Sequence, residues 1–128
     1  MPTLEDVKEQ ISHLGRVSKF LAFREIKELP DILWEDEKIE NIVRGLYVEK
    51  YGLLVATDKR LIFIDKGLIY GLRVEDFPYD KISSIQYTTG ILYGDLTIFA
   101  SGNKAVIKKV SKDQLRNFAT TLELELQK

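Results

Sequence analysis

The sequence predicts a mainly β, α+β fold: a small seven-stranded antiparallel bent barrel, plugged by a C-terminal helix and preceded by a helical N-terminal segment. Three observations carry this reading. Up to Glu40, apolar residues recur at helical spacing. From about Ile42 the vocabulary changes to short β-branched and aromatic runs punctuated by Gly, Asp and Asn. Beyond Val110 a single amphipathic stripe closes the chain.

In the first segment Leu4, Val7, Ile11 and Leu14 recur at spacings of 3, 4 and 3, with Thr3 placed to cap and Gly15 to stop a helix. A second helix is expected through Val17, Phe20, Leu21, Arg24 and Lys27, ending where Pro30 blocks continuation and biases Leu29 away from helical geometry. Asp31 to Glu40, with Trp34 among five acidic residues, forms a connector. The expected organisation is thus residues 1–40 as helical segment and connector, and 41–128 as the β domain.

Seven strands are expected at Ile42 to Val48, Gly52 to Thr57, Arg60 to Asp65, Ile69 to Asp76, Ile82 to Thr88, Tyr93 to Ala100 and Lys104 to Val110. Their connections are short, so sequence neighbours should pair as hairpins, and Pro78 marks a passage between two sheets. For the last helix, Ser111 and Gln114 make a capping box, with Val110 and Leu115 as its hydrophobic staple. Leu115, Phe118, Ala119, Leu122 and Leu126 then lie on one face.

Composition narrows the function. With 128 residues, one domain is expected, large enough to bury a core without disulfides or metal. Nineteen basic against twenty acidic residues give a net charge of −1, which supplies no field for nucleic acid. Six basic and ten acidic residues up to Glu40 make that part −4, and thirteen against ten make the remainder +3. The absence of cysteine removes thiol chemistry and zinc ribbons and suits a reducing cytoplasm. No apolar run approaches the roughly 18 residues of a membrane span.

No catalytic constellation emerges, and nothing calls for a cofactor or a metal. Glu75 and Asp76 are adjacent on a strand and point to opposite faces, and Asp58 and Asp65 read as surface charge. His13 is alone on the first helix, without an orienting carboxylate evident from spacing. The glycines punctuate hairpins and form neither a dinucleotide fingerprint nor a phosphate loop. Thr57 and Arg60 should face each other across the tightest turn, the guanidinium satisfying a carboxylate or carbonyl. Lys104, Lys108, Lys109, Lys112 and Arg116 form the densest basic stretch, although strand alternation sends Lys109 to the face opposite Lys104 and Lys108.

Two near copies stand out. Gly67-Leu68-Ile69-Tyr70-Gly71 and Gly90-Ile91-Leu92-Tyr93-Gly94 place apolar residues at hairpin connections where polar ones are expected. Either they fold inward to cap the core, or Leu68, Ile69, Ile91 and Leu92 project as an interaction surface. In simple up-and-down order both hairpins fall at one end. Burying four such side chains contributes about 1.5 to 3 kcal/mol each before association entropy, enough for a homo-oligomer at micromolar concentration.

The run Leu53-Leu54-Val55-Ala56-Thr57-Asp58-Lys59-Arg60-Leu61-Ile62-Phe63, followed by Asp65-Lys66-Gly67, resembles the signature hairpin of bacterial pleckstrin-homology (PH) domains, specifically the YokE-like group. Phe77, Pro78, Tyr79, Lys81, Ile82 and Ile85 resemble the next block of that pattern, and Ser101, Gly102, Asn103 and Lys104 another. Leu29 to Leu33, with Glu37 and Ile39, are similar to these proteins as well. The resemblance spans roughly Leu29 to Leu122 and implies a PH-like barrel in a family mostly without an established activity.

It further implies that Lys50, Lys66 and Lys104 sit on corresponding loops, as an anion or lipid contact. The basic cluster of lipid-binding relatives is absent, since the first hairpin reads Val48-Glu49-Lys50-Tyr51-Gly52. Three lysines near an anionic surface supply only about 3 kcal/mol. The expected function is therefore a non-catalytic binding module in the bacterial cytoplasm, acting through an unidentified protein partner or self-association, with weak or no membrane binding and no nucleic acid. The alternative is a peripheral membrane or anionic-lipid module.

Overall fold

A computed structural model describes residues 2–15, 20, 23–67 and 71–128. Helix α1 (Leu4–His13) begins at Thr3, whose side chain accepts from the Asp6 amide while Asp6 reciprocates to the Thr3 amide. Gly15, at φ +66°, sits just past its end as expected. Of the expected second helix, Val17 and Leu21 lie outside the described residues. Arg24–Glu28 is a 3₁₀ turn, and Pro30 opens the one-turn helix α2 (Leu29–Ile32) instead of blocking a longer one. Leu29 is helical there, because proline is tolerated in a first turn, where no amide partner is lost.

Seven strands follow: β1 (Ile39–Tyr47), β2 (Lys50–Thr57), β3 (Arg60–Lys66), β4 (Leu72–Pro78), β5 (Ile82–Thr89), β6 (Tyr93–Ala100) and β7 (Asn103–Ser111). They form one bent antiparallel sheet in the order β4-β3-β2-β1-β7-β6-β5. Strand β1 meets β7 antiparallel at Leu46 and Lys108. Seven strands in simple up-and-down order would run the first and last parallel, so this seam rules that order out. Leu68 and Ile69 lie outside the described residues, so the expectation that the two hairpins share one end is left without that order to support it.

The β1–β2 connection is tighter than expected. Tyr47 pairs with Lys50, leaving only Val48 and Glu49 in the turn, at φ +50° and +67°. Gly52, expected to bound the loop, lies inside β2, where an added Cβ would meet the Phe63 ring at 2.6 Å.

Helix α3 (Lys112–Leu126) buries Leu115, Phe118 and Leu122 in the barrel with Val43, Leu54, Phe63, Leu96 and Ile107, and Ala119 is buried as well. Ser111 occupies the N-cap position, but its side chain makes no cap hydrogen bond. It is still paired to Tyr93 as the last residue of β7, and the Lys112 amide donates to the Leu92 carbonyl.

A second core lies outside the barrel. Ile42 on β1, Leu53 and Val55 on β2, and Ile62 and Ile64 on β3 face outward yet are fully buried beneath Val7, Ile11, Phe20, Ile26, Leu29 and Leu33. The N-terminal segment is a lid on the outer face of the β1–β3 sheet.

Candidate functional site: the outer groove at the β1–β7 seam

The sequence places several charged residues in structural pairs. Arg60 donates to Glu37 from Nε and Nη2 at 2.9 Å each, to Asp76 from Nη1 at 2.6 Å and to the Ile32 carbonyl at 2.7 Å. Its guanidinium stacks 4.2 Å from the Trp34 ring centre. The Thr57 hydroxyl donates to Glu37 at 2.6 Å and accepts the Lys59 and Arg60 amides at 3.0 Å. Burial alone would raise the Glu37 carboxyl, but hydrogen bonds from Arg60, Thr57 and the Trp34 backbone, with the Arg60 charge, hold it below its ordinary value. Arg60, expected to satisfy a carboxylate or a carbonyl, has both, Glu37 and the Ile32 carbonyl.

Glu75 and Asp76 do face apart: Glu75 accepts from the Tyr47 hydroxyl at 2.5 Å, whereas Asp76 serves Arg60. Asp58 accepts the Lys38 amide, whereas Asp65, expected at the surface, is buried 3.6 Å from Arg73. His13 does have a carboxylate nearby, Glu9 one turn earlier at 3.8 Å, with both side chains exposed.

The three candidate anion-binding lysines have different surroundings, although β2–β3 pairing brings Lys50 close to Lys66. Lys50 lines a cavity of about 280 Å³ with Val48, Asp65 and Arg73. Lys66 is paired to Glu28 at 3.1 Å, and Lys104 lines a separate hollow with Ser83 and Phe99.

The basic stretch on β7 departs from alternation. Ala105, Ile107 and Val110 all point inward, because the β6–β7 register shifts and Lys109 adopts φ +60°. This bulge leaves Lys108 and Lys109 both exposed on the outside, where simple alternation separated them.

Lys109 thereby reaches a groove of about 410 Å³ that sequence reasoning did not find. Phe20, Phe23, Tyr51 and Tyr93 give it aromatic walls, and Arg44 and Lys109 give it charge; among the described residues no acidic one lines it. Arg44 sits 5.0 Å from the Phe23 ring centre and 4.8 Å from that of Tyr51, and Lys109 lies 5.8 Å from Tyr93. The described residues show no ion pair between either cation and a carboxylate; aromatic faces hold them instead. At its edge the β5–β6 tip projects: Ile91, Leu92 and Tyr93 are 89%, 69% and 52% exposed. Of the two readings of this hairpin, inward capping is excluded for Ile91 and Leu92.

This bent seven-stranded sheet with a C-terminal helix in its core is a PH-like fold. Residues 33–123 match the model of the bacterial PH domain family, and the chain belongs to that family. The chain is 37% identical to the uncharacterised protein YjqA of Bacillus subtilis (strain 168), over 79% of this chain and 83% of that one. Among solved structures, a pleckstrin-homology domain from Shewanella amazonensis SB2B is similar with a TM-score of 0.61 at 23% identity, covering 90% of this chain and 99% of that one. The hSac2 domain of human phosphoinositide phosphatase Sac2 is similar in fold, with a TM-score of 0.60 at 14% identity, covering 90% and 83%.

Proposed function

We propose that this chain is a non-catalytic binding module of the bacterial cytoplasm that acts through protein contact, self-association included, at the outer groove and the β5–β6 tip. The observation that carries the reading is the run Ile91-Leu92-Tyr93, three consecutive exposed apolar side chains beside an aromatic groove. Exposed apolar clusters of this kind mark contacts, and tyrosine and arginine are the residues that dominate contact energetics. Lys66 is ion-paired to Glu28, which takes one of the three candidate lysines from a headgroup and favours protein over an anionic bilayer. Among the described residues no helix is long and apolar enough to cross a membrane. Glu75, Asp76 and Asp58 are engaged in contacts within the fold, with Tyr47, Arg60 and the Lys38 amide.

The test is affinity capture from a native lysate with the wild type and with Ile91→Lys/Leu92→Lys, alongside co-sedimentation with anionic vesicles. The reading expects a protein bound by the wild type and lost from the variant, with the melting temperature unchanged. Equal capture by both, or vesicle binding without protein capture, would refute it.

A further inference from the structure

Resting on that reading, we propose that the groove's occupant is the turn bearing Trp34 of a second copy of this chain. Trp34 is the chain's single tryptophan and is 53% exposed. The Glu37 amide donates to its carbonyl at 3.1 Å, its own amide donates to Glu37 at 2.9 Å, and its indole stacks on Arg60. The turn is therefore fixed by the buried Arg60–Glu37 pair and needs little ordering on binding. Glu35 and Asp36 follow the indole and are exposed.

The chemistry of this knob complements that of the groove. An indole beside two carboxylates faces aromatic walls carrying Arg44 and Lys109, with no acidic side chain among the described lining residues to repel it. The same division appears in the sequence, −4 up to Glu40 and +3 beyond it.

A copy cannot fill its own groove. The Trp34 turn precedes β1 at Ile39, whereas the groove opens around Arg44, roughly 16 Å further along the same strand. Ile42, fully buried under the N-terminal segment, lies between them. Knob and groove are different patches, so one copy's knob enters another copy's groove, reciprocally in a closed dimer or head-to-tail in a larger assembly.

That geometry makes a specific prediction for light scattering on three proteins: the wild type, Glu35→Lys/Asp36→Lys and Arg44→Glu/Lys109→Glu. Wild-type mass should rise above the monomer with concentration, while Trp34 emission shifts to shorter wavelength. Each variant should raise the concentration needed by about tenfold or more, with its melting curve checked against the wild type. If Arg44→Glu impairs folding, Lys109→Glu alone replaces that variant. In an equimolar mixture the wild-type knob of the groove variant meets the wild-type groove of the knob variant, and the reversed knob meets the reversed groove with opposite signs, so the mixture should regain the assembly that each variant alone has lost. A wild type that stays monomeric, or whose assembly ignores both charge reversals, would overturn the proposal. Loss of lysate capture in Ile91→Lys/Leu92→Lys alongside a monomeric wild type would reject this occupant while leaving the protein-binding reading standing.

Discussion

Arg60 and Glu37 show how a single buried pair organises three segments. The guanidinium ties the connector at Glu37, strand β4 at Asp76 and helix α2 at the Ile32 carbonyl, with 4% of the residue exposed. Glu37→Ala leaves that charge buried without its bidentate partner and should destabilise the fold by about 3 to 5 kcal/mol, read from the urea midpoint. Glu40 makes a different prediction. Burial raises its carboxyl to about 7, reinforced by the hydrogen bond and charge of Glu125 and by Asp58, against the opposing charge of Lys128. A folded-state value above the unfolded one means that the native protein binds the proton more tightly. Stability should therefore fall as pH rises from about 4.5 through about 7, and Glu40→Gln should flatten that slope in urea titrations across the window. The Thr57–Arg60 pairing was legible in sequence because a two-residue turn brings its flanking residues together. Glu37 as the partner was not, since 23 positions separate it from Arg60.

At the scale of elements, the β1–β2 turn is built from unfavourable residues. Both central positions have positive φ, as a type I′ turn requires, yet they are Val48 and Glu49 where Asn and Gly are preferred. Val48→Asn with Glu49→Gly should stabilise the protein by about 1 to 2 kcal/mol, seen as a higher melting temperature. This explains why the turn was misplaced: its sequence carries no turn signal, while Gly52 carries a misleading one and is needed for close packing on Phe63. Helix α3 was legible because its stripe of Leu115, Phe118, Ala119 and Leu122 is uninterrupted. Phe118 is fully buried mid-stripe, so Phe118→Ala should lower stability by about 3 to 5 kcal/mol. Ser111→Ala should have little effect on the urea midpoint, because Ser111 makes no side-chain cap. A capping box in sequence cannot reveal that a strand will run straight into its helix.

At the scale of the molecule, the chain has two cores on one sheet. The runs Leu53-Leu54-Val55-Ala56 and Leu61-Ile62-Phe63-Ile64 are apolar at every position, whereas β5 intersperses Ser83, Ser84, Gln86 and Thr88. A strand with one wet face alternates, so the continuous runs already encoded a cover on both sides. A chain beginning at Trp34 should expose Ile42, Leu53, Val55, Ile62 and Ile64 and aggregate on expression, against a soluble full-length protein. The groove, by contrast, was not legible. It depends on the bulge at Lys109, on the β1–β7 seam and on Phe23 being carried over β1, none of which has a local sequence signature.

The central claim, that the β5–β6 tip and its groove bind protein, is tested most directly by photo-crosslinking from position 92. A photoreactive amino acid replacing Leu92 should yield covalent adducts with polypeptide in native cytoplasm, and the same group at Leu124, which is 57% exposed on α3, should not. Equal yields at the two positions, or adducts at 92 with lipid alone, would contradict the account.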